Sequence, residues 1–345
     1  ISAPPSRGYI YDRNGVILAD NQPVFTAMLS PDEVENPERT LHLLAPIFDL
    51  TDTDITDILA RLSKNKNDPV TIKIDLTEAQ LAQFSERKPF FRGVSIQSKL
   101  TRSYPYDELF AHVIGYVGRI NDKESKRIDK DRYAGTDLIG KIGIEDYYED
   151  ILLGQPGYQS VETDAHGNIL RQLDTKPPIA GNDITLSLQT IAQQQLDGRR
   201  GAIVAIDPKN GDVLAFVSNP SYDPNPFISG ISFKDYDDLR EDLDQPLYNR
   251  ALQGTYPPGS TIKPFEGLGG IHYGLRDWNS TIYDPGYFSL PGDTHRFRDW
   301  KRGGHGTVDL KKSIAMSVDT YYYKLAYEMG IQRLHDWMVR FGFGE

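Results

Sequence analysis

The 345-residue sequence predicts an α+β platform followed by an α/β domain with a central sheet covered by helices, and three observations carry that reading. Up to about residue 178, short strands and turns alternate with amphipathic helices. Residues 174–182 form a polar stretch containing Pro177, Pro178 and Gly181, the composition of a linker. Beyond it, residues 202–206 and 213–217 are apolar on both faces, which predicts strands in the middle of a sheet with helices on each side. The expected domains are therefore 1–178 and 179–345. The second is expected to be incomplete, because residues 341–345 follow directly on a helical pattern.

The elements are read in order as follows. Tyr9-Ile10-Tyr11 and Val16-Ile17-Leu18-Ala19 flank Asp12-Arg13-Asn14-Gly15, whose Asn-Gly turn predicts an opening hairpin. Residues 51–62 carry Ile55, Ile58, Leu59 and Leu62 at helical spacing, and Thr77-Glu78-Ala79-Gln80 is a capping box ahead of Leu81 and Phe84. Residues 93–100 alternate as a strand, 112–120 read as an apolar strand and 143–153 as a helix. A second hairpin is expected from 158–162 and 169–173 around Ala165-His166-Gly167-Asn168. No catalytic side chains cluster in this half, which reads as a non-catalytic platform. After the linker, 184–188 predict a strand, 189–196 a short helix and 233–243 an acidic exposed helix. Residues 277–307 form a long loop. Helices are expected over 313–329 and 331–340, closed by Gly330 and Gly342 as C-cap glycines, with Tyr321, Tyr322, Tyr323 and Tyr327 in the core or at its rim.

Composition narrows the function classes. Thirty-eight Lys and Arg against 49 Asp and Glu give a net charge of −11, with no basic block able to track a phosphate backbone, so nucleic acid is not an expected partner. Cysteine is absent, which excludes disulfides and thiolate chemistry. The sequence contains no run of about 20 apolar residues that would cross a bilayer. It begins at Ile1 without an initiator Met, and a signal or membrane anchor ahead of it is expected.

Chemistry concentrates at Tyr256-Pro257-Pro258-Gly259-Ser260-Thr261-Ile262-Lys263-Pro264. The Pro-Pro-Gly turn precedes an apolar run over 265–271, so Ser260 is expected at the start of a short buried helix. Pro264 has no N–H for the carbonyl four residues back, that of Ser260, so the helix begins no earlier. Ser260 and Lys263 then lie one turn apart on one face, a nucleophile beside a candidate base. Free N–H groups at the helix start suit an oxyanion formed when Ser260 attacks a carbonyl. A bare Ser-x-x-Lys also describes an N-cap serine followed by a surface lysine, so the pattern alone is weak.

Further motifs give it context. Ser317-Val318-Asp319 lies near the start of an apolar helix-like stretch. Arg7-Gly8-Tyr9-Ile10-Tyr11-Asp12-Arg13-Asn14-Gly15 and Gly140-Lys141-Ile142-Gly143-Ile144-Glu145 stand out in the first half, with Tyr283-Asp284-Pro285-Gly286 and Arg298-Asp299-Trp300 in the second. Together these resemble the class B penicillin-binding proteins, the bacterial transpeptidases that cross-link peptidoglycan. Ser260 to Lys263 stands at that family's S-x-x-K and Ser317 to Asp319 at its S-x-N, with Asp in third place as in the elongation-specific type. The two first-half motifs are similar to the R-G-x-I-x-D-R-x-G and G-x-x-G-x-E signatures of its non-catalytic domain. The family's third motif, K-[ST]-G, is absent from the sequence and is expected beyond Glu345.

The resemblance implies a pedestal over 1–178 and part of a serine acyltransferase, transpeptidase-type domain over 179–345. It implies that Ser260 attacks the penultimate D-Ala carbonyl of a stem peptide, expels D-Ala and passes the acyl group to an acceptor amine. Lys263 would serve as the base, Ser317 would relay a proton to the leaving amine, and Asp319 would orient either Lys263 or the substrate amide. Also implied are β-lactam binding, an N-terminal inner-membrane anchor outside this chain with periplasmic domains, and a RodA-type glycosyltransferase and MreC as partners. Rival readings are a β-lactamase or β-lactam sensor with the same Ser-x-x-Lys chemistry, and a catalytically idle scaffold. No cofactor is required. Asp284, Asp299 and His305, flanked by Gly303, Gly304 and Gly306, form a candidate structural zinc set with no fourth ligand at Val318, which water, Asp293 or His295 would replace. The alternative pairs Asp299 with Arg296, Arg298 or Arg302, caps the Pro285-Gly286 turn with Asp284 and bonds His305 to a backbone carbonyl.

Overall fold

The structure is a computed structural model that describes residues 2–64, 69–163, 169–187, 196 and 198–344. It contains two compact units, Ile1–Gly254 and Thr255–Glu345. The first opens with the expected hairpin. Asp12 Oδ1 accepts the N–H groups of Asn14 and Val16, and Gly15 adopts φ 82°, which closes the turn. The return strand, Ile17–Leu29, runs far beyond the hairpin and pairs antiparallel with Val94–Ser103 from Asp20 opposite Ser103 to Leu29 opposite Val94.

At the far end of this ladder the strand Val70–Lys73 joins the sheet, and three helices cover it: Pro37–Phe48, Asp52–Lys64 and Glu78–Arg87. They enclose a core that includes Leu41, Leu44, Phe48, Ile58 and Phe84. The capping box at Thr77 forms as expected, with reciprocal bonds between Thr77 and Gln80. The helix Pro37–Phe48 was not anticipated, although Asn36 caps it through the Arg39 N–H and Pro37 occupies its first turn.

At the near end two sequence motifs meet. Arg7 Nε donates to Glu145 Oε2 at 2.6 Å, Arg102 Nε to Glu145 Oε1 at 2.7 Å, and Arg7 also reaches Glu149. Glu145 is fully buried. Burial works to raise its carboxyl, but Arg102 and Arg7 outweigh that and hold it below the usual range. The Gly-x-x-Gly-x-Glu segment is thereby tied to the opening strand, from which it is remote in sequence.

Several elements differ from expectation. Residues 112–120 are not one strand: a helical turn, Ala111–Ile114, precedes the strand Tyr116–Arg119. Gly115 makes the break at φ 74°, where a Cβ would stand 1.9 Å from the Ile142 carbonyl oxygen. The helix expected over 143–153 is two short ones, Gly143–Tyr147 and Glu149–Leu152. The strands Gly157–Thr163 and Ile169–Lys176 pair antiparallel, while the turn at 165–168 and the helix expected over 189–196 lie almost wholly outside the described residues. The strand Ile184–Thr185 pairs parallel with Ile10–Tyr11.

The apolar strands beyond the linker do not sit in a covered central sheet among the described residues. Gly201–Ile206 and Val213–Asn219 form a two-stranded antiparallel hairpin, with Val204 47% and Ile206 57% exposed. Their cross-strand partners Phe216 and Val213 pack with Ile228 on the core of Ile10, Leu18 and Phe110, while Ala215 and Val217 on the opposite face are buried, and the first unit runs on to Gly254. The acidic helix Phe233–Glu241 has no buried residue, as expected.

The second unit is built on the helix Lys263–His272 and the helices Leu310–Ala315, Asp319–Met329 and Ile331–Met338. Close approach depends on Gly267 and Gly270, where a Cβ would meet Leu310 at 2.7 Å and Leu325 at 2.9 Å. The stretch expected as one helix over 313–329 is interrupted at Met316–Val318. The expected loop of 277–307 is two short ladders: Ile282–Asp284 pairs with Gly306–Val308, and Tyr287–Phe288 pairs with Phe297–Arg298. No helix among the described residues is long and apolar enough to cross a membrane.

Candidate active site

Ser260 lies in a single 3-10 turn, Gly259–Ile262, which leads directly into the helix Lys263–His272. Because Pro264 cannot donate, the Ser260 carbonyl takes the Lys263 N–H instead, three residues on, and the tighter turn results. Ser260 is exposed while Lys263 is buried, which sets a reachable hydroxyl above a shielded amine.

Lys263 Nζ lies within hydrogen-bonding distance of three oxygens of the second motif: the Ser317 carbonyl at 2.9 Å, Ser317 Oγ at 3.0 Å and Asp319 Oδ1 at 2.5 Å. Ser317 Oγ lies 2.7 Å from Ser260 Oγ. The line from the amine to the Ser260 hydroxyl thus runs through Ser317. Lys263 Nζ also lies 5.6 Å from the centre of the Tyr322 ring. Burial pushes the Tyr322 hydroxyl up to about 12, and that hydroxyl meets Ser313 Oγ at 3.0 Å. Burial likewise raises the Glu266 carboxyl, one turn along the helix, against the opposing charge of Lys263.

The geometry of Ser317 corrects the sequence reading, which set it in a helix. The helix Leu310–Ala315 ends, Ser317 turns to φ 52°, and a new helix starts at Asp319. A left-handed non-glycine residue costs about 1–3 kcal/mol and persists only where its surroundings hold it. Here the Ser317 N–H reaches the Ile314 carbonyl at 3.2 Å and the Val318 N–H the Ser313 carbonyl at 2.9 Å. The Lys263 bond to the Ser317 carbonyl adds a third restraint.

The two ladders bring Asp284, Asp299 and His305 together, with one ligand atom from each lying within 4.8 Å of the others. His305 Nδ1 stands 2.9 Å from Asp284 Oδ2 and 3.5 Å from Asp299 Oδ1. These spacings bracket the edge of about 3.3 Å expected between ligands on a tetrahedral zinc with bonds near 2.0–2.1 Å. The carboxylates are already oriented: Asp284 accepts the Gly286 and His305 N–H groups, and Asp299 accepts those of Lys301 and Thr320. His305 Nε2 is buried without a partner. Burial works to raise the Asp284 carboxyl, but the Thr320 hydroxyl, the Gly286 N–H and the His305 ring and N–H together hold it below the usual range. The residues fit three positions of a zinc site. Asp284 does cap the Pro285-Gly286 turn, as the alternative reading has it, while Asp299 meets backbone N–H groups and His305.

Residues 201–345 match the penicillin binding protein transpeptidase domain, and residues 2–186 match the penicillin-binding protein dimerisation domain. The chain belongs to the penicillin-binding proteins. It is 61% identical over 99% of its length to an Acinetobacter baumannii peptidoglycan D,D-transpeptidase MrdA and 46% identical over 99% to the Escherichia coli K12 protein of that name. The chain spans about half the length of these curated relatives, 52% and 55%. A solved complex of PBP2 with MreC from Helicobacter pylori superposes with a TM-score of 0.87 at 31% identity, covering 100% of this chain and 66% of that one. Pseudomonas aeruginosa PBP2 in complex with WCK 5153 gives 0.70 at 40% identity, covering 100% and 57%. The resemblance read from the motifs, and the two-domain α+β and α/β architecture it implied, agree with these matches.

In this penicillin-binding protein Ser260, Lys263, Ser317 and Asp319 converge on one hydrogen-bonded line, and Asp284, Asp299 and His305 on a second cluster. Asp293 and His295, offered as replacement ligands, fall outside that cluster among the described residues. Two contributors were missed in the sequence. Tyr322 was assigned to the core and also faces Lys263. Trp300 was noted only as part of a motif, yet its indole N–H donates to the Met316 carbonyl at 3.1 Å.

Proposed function

We propose that this penicillin-binding protein is a peptidoglycan D,D-transpeptidase of cell elongation, with a pedestal over 1–178 and part of the catalytic domain over 179–345. The observation that carries the reading is the unbroken line Asp319, Lys263, Ser317, Ser260, which connects a nucleophile to a buried amine and a carboxylate. The names of the Acinetobacter and Escherichia relatives point the same way.

Ser260 Oγ attacks the carbonyl carbon of the penultimate D-Ala of a stem peptide. Its proton passes through Ser317 to an unprotonated Lys263 Nζ. Collapse of the tetrahedral intermediate breaks the bond to the terminal D-Ala, whose nitrogen receives the proton back through Ser317. An acceptor amine on a neighbouring stem then attacks the ester and frees Ser260. Asp319 orients Lys263 throughout, and the Ser260 N–H contributes to the oxyanion site. β-Lactams acylate the same serine.

Asp284, Asp299 and His305 would hold a structural zinc, which supplies positive charge and rigidity between the two ladders rather than chemistry at the reacting carbonyl. An MreC-type partner fits the pedestal, since the Helicobacter PBP2 forms such a complex. A RodA-type glycosyltransferase and an N-terminal inner-membrane anchor complete the proposed setting, with the described domains in the periplasm. The test is full-length protein supplied with pentapeptide stems. Release of D-Ala together with a cross-linked product supports the reading, and a protein that binds penicillin but releases no D-Ala is the idle scaffold instead.

A further inference from the structure

Trp300 is 63% exposed and belongs to none of the hydrophobic clusters among the described residues. Two contacts define its ring. It meets His305 edge-on, with centroids 5.3 Å apart and planes at 62°, and its Nε1–H donates to the Met316 carbonyl at 3.1 Å. Met316 immediately precedes Ser317, the residue held at φ 52°. The neighbouring Asp299 takes the N–H of Thr320, which immediately follows Asp319, on its Oδ2 at 3.3 Å. Two consecutive residues that follow the strand Phe297–Arg298 therefore grip both ends of the turn that carries Ser317 and Asp319.

The grip falls where the turn most needs it. The Met316 N–H is spent on Lys312 and the Ser317 N–H on Ile314, so the helix Leu310–Ala315 holds the turn through its N–H groups. The Ser317 carbonyl is held by Lys263. The Met316 carbonyl is fixed by the indole, from outside both helices. Rotating that peptide plane changes ψ of Met316 and φ of Ser317 together, which swings Ser317 Oγ away from its place between Lys263 Nζ and Ser260 Oγ.

We infer that Trp300 is a positioning residue for Ser317: its indole N–H fixes the Met316 carbonyl and so keeps the Ser317 hydroxyl aligned between Lys263 and Ser260. This rests on the transpeptidase reading of the same site. The role belongs to the N–H and not to the ring surface, and that separates it from a packing role or a substrate-stacking one.

The experiment replaces Trp300 in full-length protein with 3-benzothienylalanine, which keeps the bicyclic shape and puts sulfur in place of N–H, with Trp300→Phe alongside. Acylation by a fluorescent penicillin is followed to saturation, giving the limiting rate and the dissociation constant separately, and melting temperature is measured on each protein. The expected result is a limiting rate lower by roughly three- to tenfold, the worth of one neutral hydrogen bond, with dissociation constant and melting temperature unchanged. An unchanged rate overturns the inference, as does a loss confined to the dissociation constant or one that tracks melting temperature. A wild type that is not acylated at all removes the transpeptidase reading and this inference with it. Normal acylation in both variants removes this inference alone.

Discussion

Replacing Glu145 with Gln probes how the pedestal is held together. The carboxylate accepts from Arg7 Nε at 2.6 Å and Arg102 Nε at 2.7 Å, and it is fully buried, with Arg102 only 1% exposed and Arg7 11%. Gln is nearly isosteric but has one acceptor oxygen, so one guanidinium would face an amide N–H₂, Arg102 would lose its counter-charge and Arg7 would keep only Glu149. Breaking a buried pair by removing one partner costs roughly 3–5 kcal/mol. For a unit the size of Ile1–Gly254 that corresponds to a melting temperature lower by roughly 6–20 °C. The pH dependence follows from the depressed carboxyl. Its stabilisation is fully present above the ordinary glutamate range and is lost as pH falls through the lower folded value. The gap between wild type and Glu145→Gln should therefore be widest near neutrality and shrink in acid. Urea unfolding followed by circular dichroism at several pH values measures both effects. A loss below about 1 kcal/mol at pH 7, the scale of a surface pair, would refute the buried network as the tie between the two motifs.

Other outcomes follow from the same geometry. Lys263→Ala should slow penicillin acylation by about 10²–10⁴, the usual worth of a general base; a loss under tenfold in stopped-flow labelling would assign the proton to another group. Protein purified without chelator should carry close to one equivalent of zinc by elemental analysis and melt lower after EDTA. Well below one equivalent, with unchanged melting, would reduce Asp284, Asp299 and His305 to a hydrogen-bonded clasp between the ladders. On the pedestal, Phe25 and Leu100 are exposed on one face of the long ladder, with Leu100 opposite Pro23, two residues from Phe25. Phe25→Asp with Leu100→Asp should abolish elongation in cells while penicillin labelling stays intact, and parallel loss of labelling would point to misfolding.

Local chemistry was the legible part of this sequence. The Asn-Gly turn, the box at Thr77 and the Pro-Pro-Gly turn before Ser260 each depend on residues a few positions apart, and each formed where expected. What resisted reading depends on distant partners. Residues 313–329 keep an unbroken helical look because nothing in Met316-Ser317-Val318 announces a left-handed serine. That conformation is held by the local bonds to Ile314 and Ser313 together with Lys263, which lies 54 residues away, and Trp300 on the preceding carbonyl. The strands at 201–206 and 213–219 look like central strands from hydrophobicity alone, yet the described residues cover one face and leave Val204 and Ile206 exposed. Gly115 breaks a strand because the Ile142 carbonyl crosses beside it, a contact invisible in either segment alone. Ser260, Lys263, Ser317 and Asp319, singled out from two separate motifs, meet in one hydrogen-bonded line. The spacing placed Ser260 and Lys263 one turn apart, and the structure adds Ser317 Oγ at 3.0 Å from Lys263 Nζ and 2.7 Å from Ser260 Oγ.

The central claim is that Ser260 is the nucleophile served by this line. Full-length protein treated with a β-lactam, digested and mapped by mass spectrometry, should carry a single acyl adduct on the peptide containing Ser260, and Ser260→Ala should carry none. Full adduct formation in Ser260→Ala, or an adduct mapped to Ser317 or any other residue, would contradict it.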